Sequence, residues 1–182
     1  MANPRFLVFS DRMLRAAALD ASVYEEIEAD PSAVRQSLAV VLLSSMAAGI
    51  GAGGWQGSSL RTFVLFTLVA LATWTAWAWL VAEIGRRLLP ETQTRTSFAE
   101  LLRTIGFAAT PGLFQIFAAM PSMTLPVFGV TAMWMLAAMV IAVRQALDYR
   151  HTARALTVCA VGWTLALVMA FVLGVLFGPS VS

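Results

Sequence analysis

Five stretches of the chain run without a charged residue: Gln36–Gly54, Thr62–Ala82, Thr104–Met120, Val127–Val143 and Ala155–Phe177. A helix rises about 1.5 Å per residue, so roughly 20 mostly apolar residues cross a hydrocarbon core of about 30 Å. The pattern predicts an all-α, polytopic integral membrane protein with five transmembrane helices. The third and fourth stretches are short and only Pro121 to Pro126 joins them, which leaves a re-entrant hairpin as the alternative to two full crossings. Ahead of the first span lies a polar arm, residues 1–35, and the five-helix domain fills residues 36–178. Within the arm, Arg12–Leu19 and Val23–Ala29 read as short helices. The first carries Met13, Leu14, Ala17 and Ala18 on one side, the pattern of a helix on a membrane surface; a plain solvated arm is the alternative. Asp30 before Pro31 predicts an N-cap and first helical residue. Ser22 with Glu25 and Ser97 with Glu100 have capping-box spacing.

The arginines orient these spans, because basic residues in short loops are retained on the cytoplasmic side. Arg5, Arg12, Arg15 and Arg35 precede span one, and Arg86, Arg87, Arg95 and Arg103 lie between spans two and three. Arg144, Arg150 and Arg154 lie between spans four and five, and Arg61 alone falls on the other side. Five crossings with the amino terminus inside and the carboxyl terminus outside account for this asymmetry. Composition agrees: 59% of residues are hydrophobic and 12% charged, against about 25% charged in soluble domains. All twelve basic residues are arginine and are scattered among ten acids, so no nucleic-acid patch forms. The first apolar run begins near Leu38, too far in for a secretory leader, so no cleavage is expected.

Little in the chain suggests chemistry. Gly49, Gly51 and Gly54 match a dinucleotide-binding pattern but end a membrane span instead of following a strand. Ser45, Gly49 and Gly53 have the small-xxx-small spacing that lets helices approach closely in lipid, within the chain or between subunits. Pro111 removes a backbone donor in the middle of span three and leaves the Phe107 carbonyl seeking another partner. Gln115 lies one turn beyond. With Thr110 and Thr131 it could line a passage, or Pro111 could be an ordinary kink whose polar groups pair with a neighbouring helix. Trp74, Trp77 and Trp79, with Trp55 at the other end, suggest an interfacial belt or packing. Glu83 with Arg87 and Arg144 with Asp148 are spaced to pair across one helical turn. The single cysteine, Cys159, lacks a partner thiol, and His151 lacks a second ligand. The spans hold no charged group of the sort that ion-coupled carriers use. No enzyme, cofactor or metal is expected.

The stretch Asp20-Ala-Ser-Val-Tyr24-Glu25-Glu26-Ile27-Glu28-Ala29-Asp30-Pro31 leads into the glycine-rich first span. Together with the proline-bearing third span, Thr104 to Phe114, and the end of the fourth, Trp134 to Tyr149, it resembles the bacterial branch of the Yip family, membrane proteins named for interaction with Ypt/Rab GTPases in eukaryotes. The resemblance implies a cytoplasmic amino terminus, five membrane helices and a scaffold or adaptor role in the cytoplasmic (inner) membrane. The D-L-x-G-P-L and G-Y motifs of the eukaryotic Golgi members are absent, so Rab binding is not carried over. The expected function is non-enzymatic binding of partner proteins or organisation of lipid, through an exposed acidic arm at Tyr24, Glu25, Glu26 and Glu28. The expected partners are the lipid bilayer, other membrane proteins or a second copy of the chain. A small transporter, channel or lipid-moving protein built on the Pro111 kink, and an accessory subunit using the Ser45, Gly49 and Gly53 face, are the competing readings.

Overall fold

The computed structural model describes residues 4–53, 60–88 and 97–177, and every regular element among them is helical. Seven α-helices follow in order: α1 (Pro4–Ala17), α2 (Ala21–Ala29), α3 (Ala33–Gly53), α4 (Leu60–Glu83), α5 (Phe98–Phe107), α6 (Thr124–Ala146) and α7 (Thr152–Phe177). A π-helical turn, Ile84–Leu88, extends α4, and a 3-10 helix, Thr110–Ala119, follows α5. Among the described residues, three stretches are long and apolar enough to cross a membrane: Ala33–Gly51, Phe98–Ala119 and Thr124–Ala146. α4 and α7 are 24 and 26 residues long. The GIGAGG run reaches Gly54, and Trp55 follows it; both lie outside the described residues.

Local chemistry sets the helix ends. The Ser97 hydroxyl accepts from the Glu100 amide at 3.3 Å while the Glu100 carboxylate accepts from the Ser97 amide at 2.7 Å, so the capping box forms as its spacing predicts. The second box does not form. Asp20 caps α2 by accepting from the Ser22 amide and hydroxyl at 2.9 and 2.7 Å, and Glu25 is drawn away to Gln145. Asp30 closes α2 and accepts from the Ser32 amide, so α3 begins at Ala33, after Pro31. α1 and α6 end alike. The Asp20 amide donates to the Arg15 carbonyl and the Leu19 amide to Ala16, just as Tyr149 donates to Arg144 and Asp148 to Gln145. Leu19 (φ 63°) and Asp148 (φ 51°) therefore hold the left-handed position of a Schellman ending, which glycine usually occupies.

The predicted third span is two helices. α5 starts at its Ser97 cap, well before Thr104, and stops at Phe107. Pro111 has no amide hydrogen to continue an α-ladder, and the Thr110 hydroxyl donates to the freed Phe107 carbonyl at 2.7 Å. The chain then winds as a 3-10 helix, which rises about 2.0 Å per residue. Its ten residues cover about 20 Å, more than an α-helix of equal length, and so offset the shortness of the apolar run.

α5 and α6 stand between two cores. On one side Ala78, Val81 and Ala82 of α4 meet Leu101, Ile105, Val143, Ala155, Val158 and Cys159. On the other, Ala16, Val23, Tyr24 and Ile27 of the arm meet Val40, Phe107, Ala138 and Ala142. The arm is thus packed onto the bundle. Trp77 packs edge-to-face on Trp163 at 5.8 Å and against Gly162, which makes it a packing residue, while Trp79 is exposed. Glu83 and Arg87 pair as their spacing predicts. Arg144 and Asp148 do not make the predicted pair: the Schellman turn takes Asp148 out of helical register, and the Arg144 Nε donates to the Tyr149 carbonyl at 3.4 Å.

Candidate functional site

The amino-terminal end of the bundle is where charge collects. Arg12, only 5% exposed, is held by Glu26 at 2.9 Å, Asp30 at 2.8 Å and Gln36 at 2.9 Å, so one guanidinium ties α1 to α2 and α3. Arg15 adds Asp20 at 2.9 Å and Glu26 at 3.0 Å. The hydrogen bonds from Arg12 and Arg15 hold the Glu26 carboxyl below the usual carboxylate range. Ser22 and then Arg15 do the same for Asp20, and Ser32 and then Arg12 for Asp30. Trp134 Nε1 of α6 donates to the Ala17 carbonyl at 2.7 Å and fastens the end of α1.

The four arm residues singled out by sequence part company here. Tyr24 is fully buried, its hydroxyl 3.4 Å from the Ala16 carbonyl, because α2 turns its Val23, Tyr24 and Ile27 stripe into the core. The exposure expected of Tyr24 is therefore not found. Glu26 is engaged by Arg12 and Arg15. Glu25 and Glu28 face α6: Gln145 Nε2 donates to Glu25 at 2.6 Å, and the two glutamates join Arg144, Gln145, Asp148 and Tyr149 around a polar cavity of about 250 Å³. Partial burial, followed by the nearby Asp148 and Glu100 charges, pushes the Glu28 carboxyl up to about 7, against the opposing pull of Arg103. Arg103 lies inside α5 instead of in a loop. It is buried, donates to the Glu28 main-chain carbonyl and leaves its Nε without a partner.

Beneath this cleft α3 and α5 form a close seam. Ala33, Ser37, Val40, Ser44, Ala47 and Gly51 are buried at alternating steps of four and three, one stripe of α3. The Ser37 and Ser44 hydroxyls donate to the Arg103 and Ala109 carbonyls, each at 2.7 Å. A Cβ on Gly51 would come within 2.1 Å of the Gln115 carbonyl oxygen. The face expected to carry contacts, Ser45, Gly49 and Gly53, is a different one. The Ser45 hydroxyl bonds back to Val41 of its own helix, and a Cβ on Gly49 would meet nothing within 4 Å. Gly53 ends α3, and its surroundings lie outside the described side chains. Thr110, Pro111 and Thr131 are buried, and the Gln115 amide lies 3.8 Å from the Met135 sulfur. Thr131 lines a cavity of about 300 Å³ whose other walls are Phe114, Phe117, Pro126, Val127, Val130 and Trp134; neither Thr110 nor Gln115 reaches it. Arg12, Trp134 and Gln145 were not apparent as site residues from sequence, since each acts through contacts with a remote part of the chain.

Helices of this length and composition, packed into one bundle, define a helical multi-pass membrane protein. Within that class the chain belongs to the Yip1 domain family, whose domain matches residues 20–173 and so takes in α2 but not α1. No curated protein and no solved structure matches it.

Proposed function

We propose that this Yip1 domain protein is a non-enzymatic membrane scaffold that crosses the bilayer five times, amino terminus inside, and engages partner proteins at the acidic cleft between α2 and α6. The carrying observation is the cavity between α2 and α6, where Glu25, Glu28 and Asp148 outnumber the one lining cation, Arg144. Its chemistry suits an arginine or lysine side chain of a partner better than an anionic lipid head group, which the carboxylates repel. The lengths of α4 and α7 and the one-sided arginines support five crossings and the orientation. The use of arginine alone, without lysine, fits a GC-rich bacterial genome and so supports the bacterial branch. The closed α3–α5 seam and the aromatic walls around Thr131 favour a scaffold over a passage along Gln115. The open Gly49 surface favours a second contact, with another membrane protein or a second copy.

Removing the whole arm would take Tyr24 and Ile27 out of the core, so substitutions that remove charge and keep shape are the better test. Crosslinking and pulldown from native membranes with Glu25→Gln/Glu28→Gln should lose most partner capture, whereas Asp11→Asn keeps it. An undiminished partner set in a folded double variant would refute the cleft as the docking surface.

A further inference from the structure

We infer that α1 lies within the leaflet on its own side of the bilayer, with the flank formed by Phe6, Leu7 and Leu14 set against lipid acyl chains. These side chains are 63, 55 and 71% exposed, although α1 is packed onto the bundle along Phe9, Met13 and Ala16. At about 100° per residue, Phe6, Leu7 and Leu14 share one sector of the helix and Asp11, Arg12 and Arg15 another. The charged sector is turned toward α2, where Glu26 and Asp30 receive Arg12, so the apolar flank points away from the polar face of the arm.

The fastening of α1 fixes its level. Trp134 lies ten residues before Arg144 on α6, about 15 Å along the helix, and an indole side chain reaches well short of that distance. Its 2.7 Å hydrogen bond to the Ala17 carbonyl therefore holds the end of α1 beside a membrane-spanning helix, below the level where that helix reaches its charged end. Phe9 meets Phe107 edge-to-face at 6.3 Å where α5 breaks, a second anchor on a spanning segment. Trp134 in turn stacks on Phe114 at 5.3 Å, so apolar surface continues from α1 through Trp134 to the exposed Phe114 and Phe117. An outward apolar flank continuous with a bilayer-facing surface, bordered by a charged flank, is the arrangement of an interfacial helix.

Spin labels on Leu7→Cys, Leu14→Cys and Asp11→Cys, each in the full chain in phosphatidylcholine–phosphatidylglycerol vesicles, test this. Cys159 is buried and stays in place, with the unsubstituted chain as the blank. Labels at 7 and 14 should collide several-fold more with oxygen than with a water-soluble nickel chelate, relative to the label at 11. Chelate access at 7 and 14 equal to that at 11 would mean a solvated arm. Exclusion of both quenchers would mean that protein, such as a second copy, covers the flank. Either result overturns the inference, and Phe6→Cys reports on the same flank should a leucine variant fail to fold.

Discussion

Docking of the arm is coupled to pH at Glu28. Its folded value of about 7 lies above the ordinary 4.5, so the docked arm holds the proton more tightly than a released one. Stability from this group is full below about 4.5 and is lost as pH rises through about 7. Glu26, Asp20 and Asp30 act in the opposite sense. Their folded values are depressed, so their contribution is present above the usual carboxylate range and lost as acid protonates them. Hydrogen exchange of the α2 amides should therefore slow as pH falls from 8 toward 5, after correction for intrinsic exchange, and Glu28→Gln should remove that slope. Asp148→Gly acts on the same residue by another route. It withdraws a neighbouring negative charge and gives the left-handed position the residue that fits it, so it should lower the Glu28 titration and stabilise the α6 end by about 1 kcal/mol, measured by denaturation in detergent. Glu25 and Glu28 were legible in sequence as a charged pre-membrane motif. Tyr24 was misjudged because hydroxyl-bearing aromatics read as surface residues until a packed neighbour covers them.

At the scale of elements, the seam between α3 and the broken α5 decides how the bundle closes. Gly51→Ala drives a methyl group into the Gln115 carbonyl and should cost about 1–3 kcal/mol, whereas Gly49→Ala, on the open face, should be neutral or stabilising by less than about 1 kcal/mol. Ser44→Ala removes the hydroxyl that ties α3 to the Ala109 carbonyl, which keeps the Gly112 amide as its other donor, at a cost of about 1 kcal/mol. Thermal unfolding of the three variants in one detergent ranks them. The sequence showed that α3 is rich in small residues but not which face packs, because the helix is apolar all round and both Ser45-Gly49-Gly53 and Ser37-Ser44-Gly51 offer close approach. The second stripe is the one that packs: Ser37 and Ser44 donate to the Arg103 and Ala109 carbonyls, and Gly51 lies against the Gln115 carbonyl. The break itself was readable from Pro111, and so was the orphaned Phe107 carbonyl. Its 3-10 continuation and the Thr110 hydroxyl as partner were not, since both depend on how the segment seats against α3.

For the whole molecule, the apolar runs and the Ser97 cap announced a helical membrane bundle, and the family match covers residues 20–173 of it. What sequence concealed is the clasp. Arg12 reaches Gln36, and Trp134 reaches Ala17 across 117 residues, contacts that no local pattern encodes. Arg12→Gln should loosen α1 by about 2 kcal/mol, visible as faster proteolysis of the arm in vesicles, with the spans left inserted. The proposed function requires the acidic cleft to face the cytoplasm at the end of a five-crossing bundle. Thiol labelling of Glu25→Cys, Asp148→Cys and Met123→Cys in intact cells, with a membrane-impermeant reagent, tests that most directly. Position 123 should react at once and positions 25 and 148 only after permeabilisation; labelling of 25 or 148 in intact cells, or protection of 123, would contradict it.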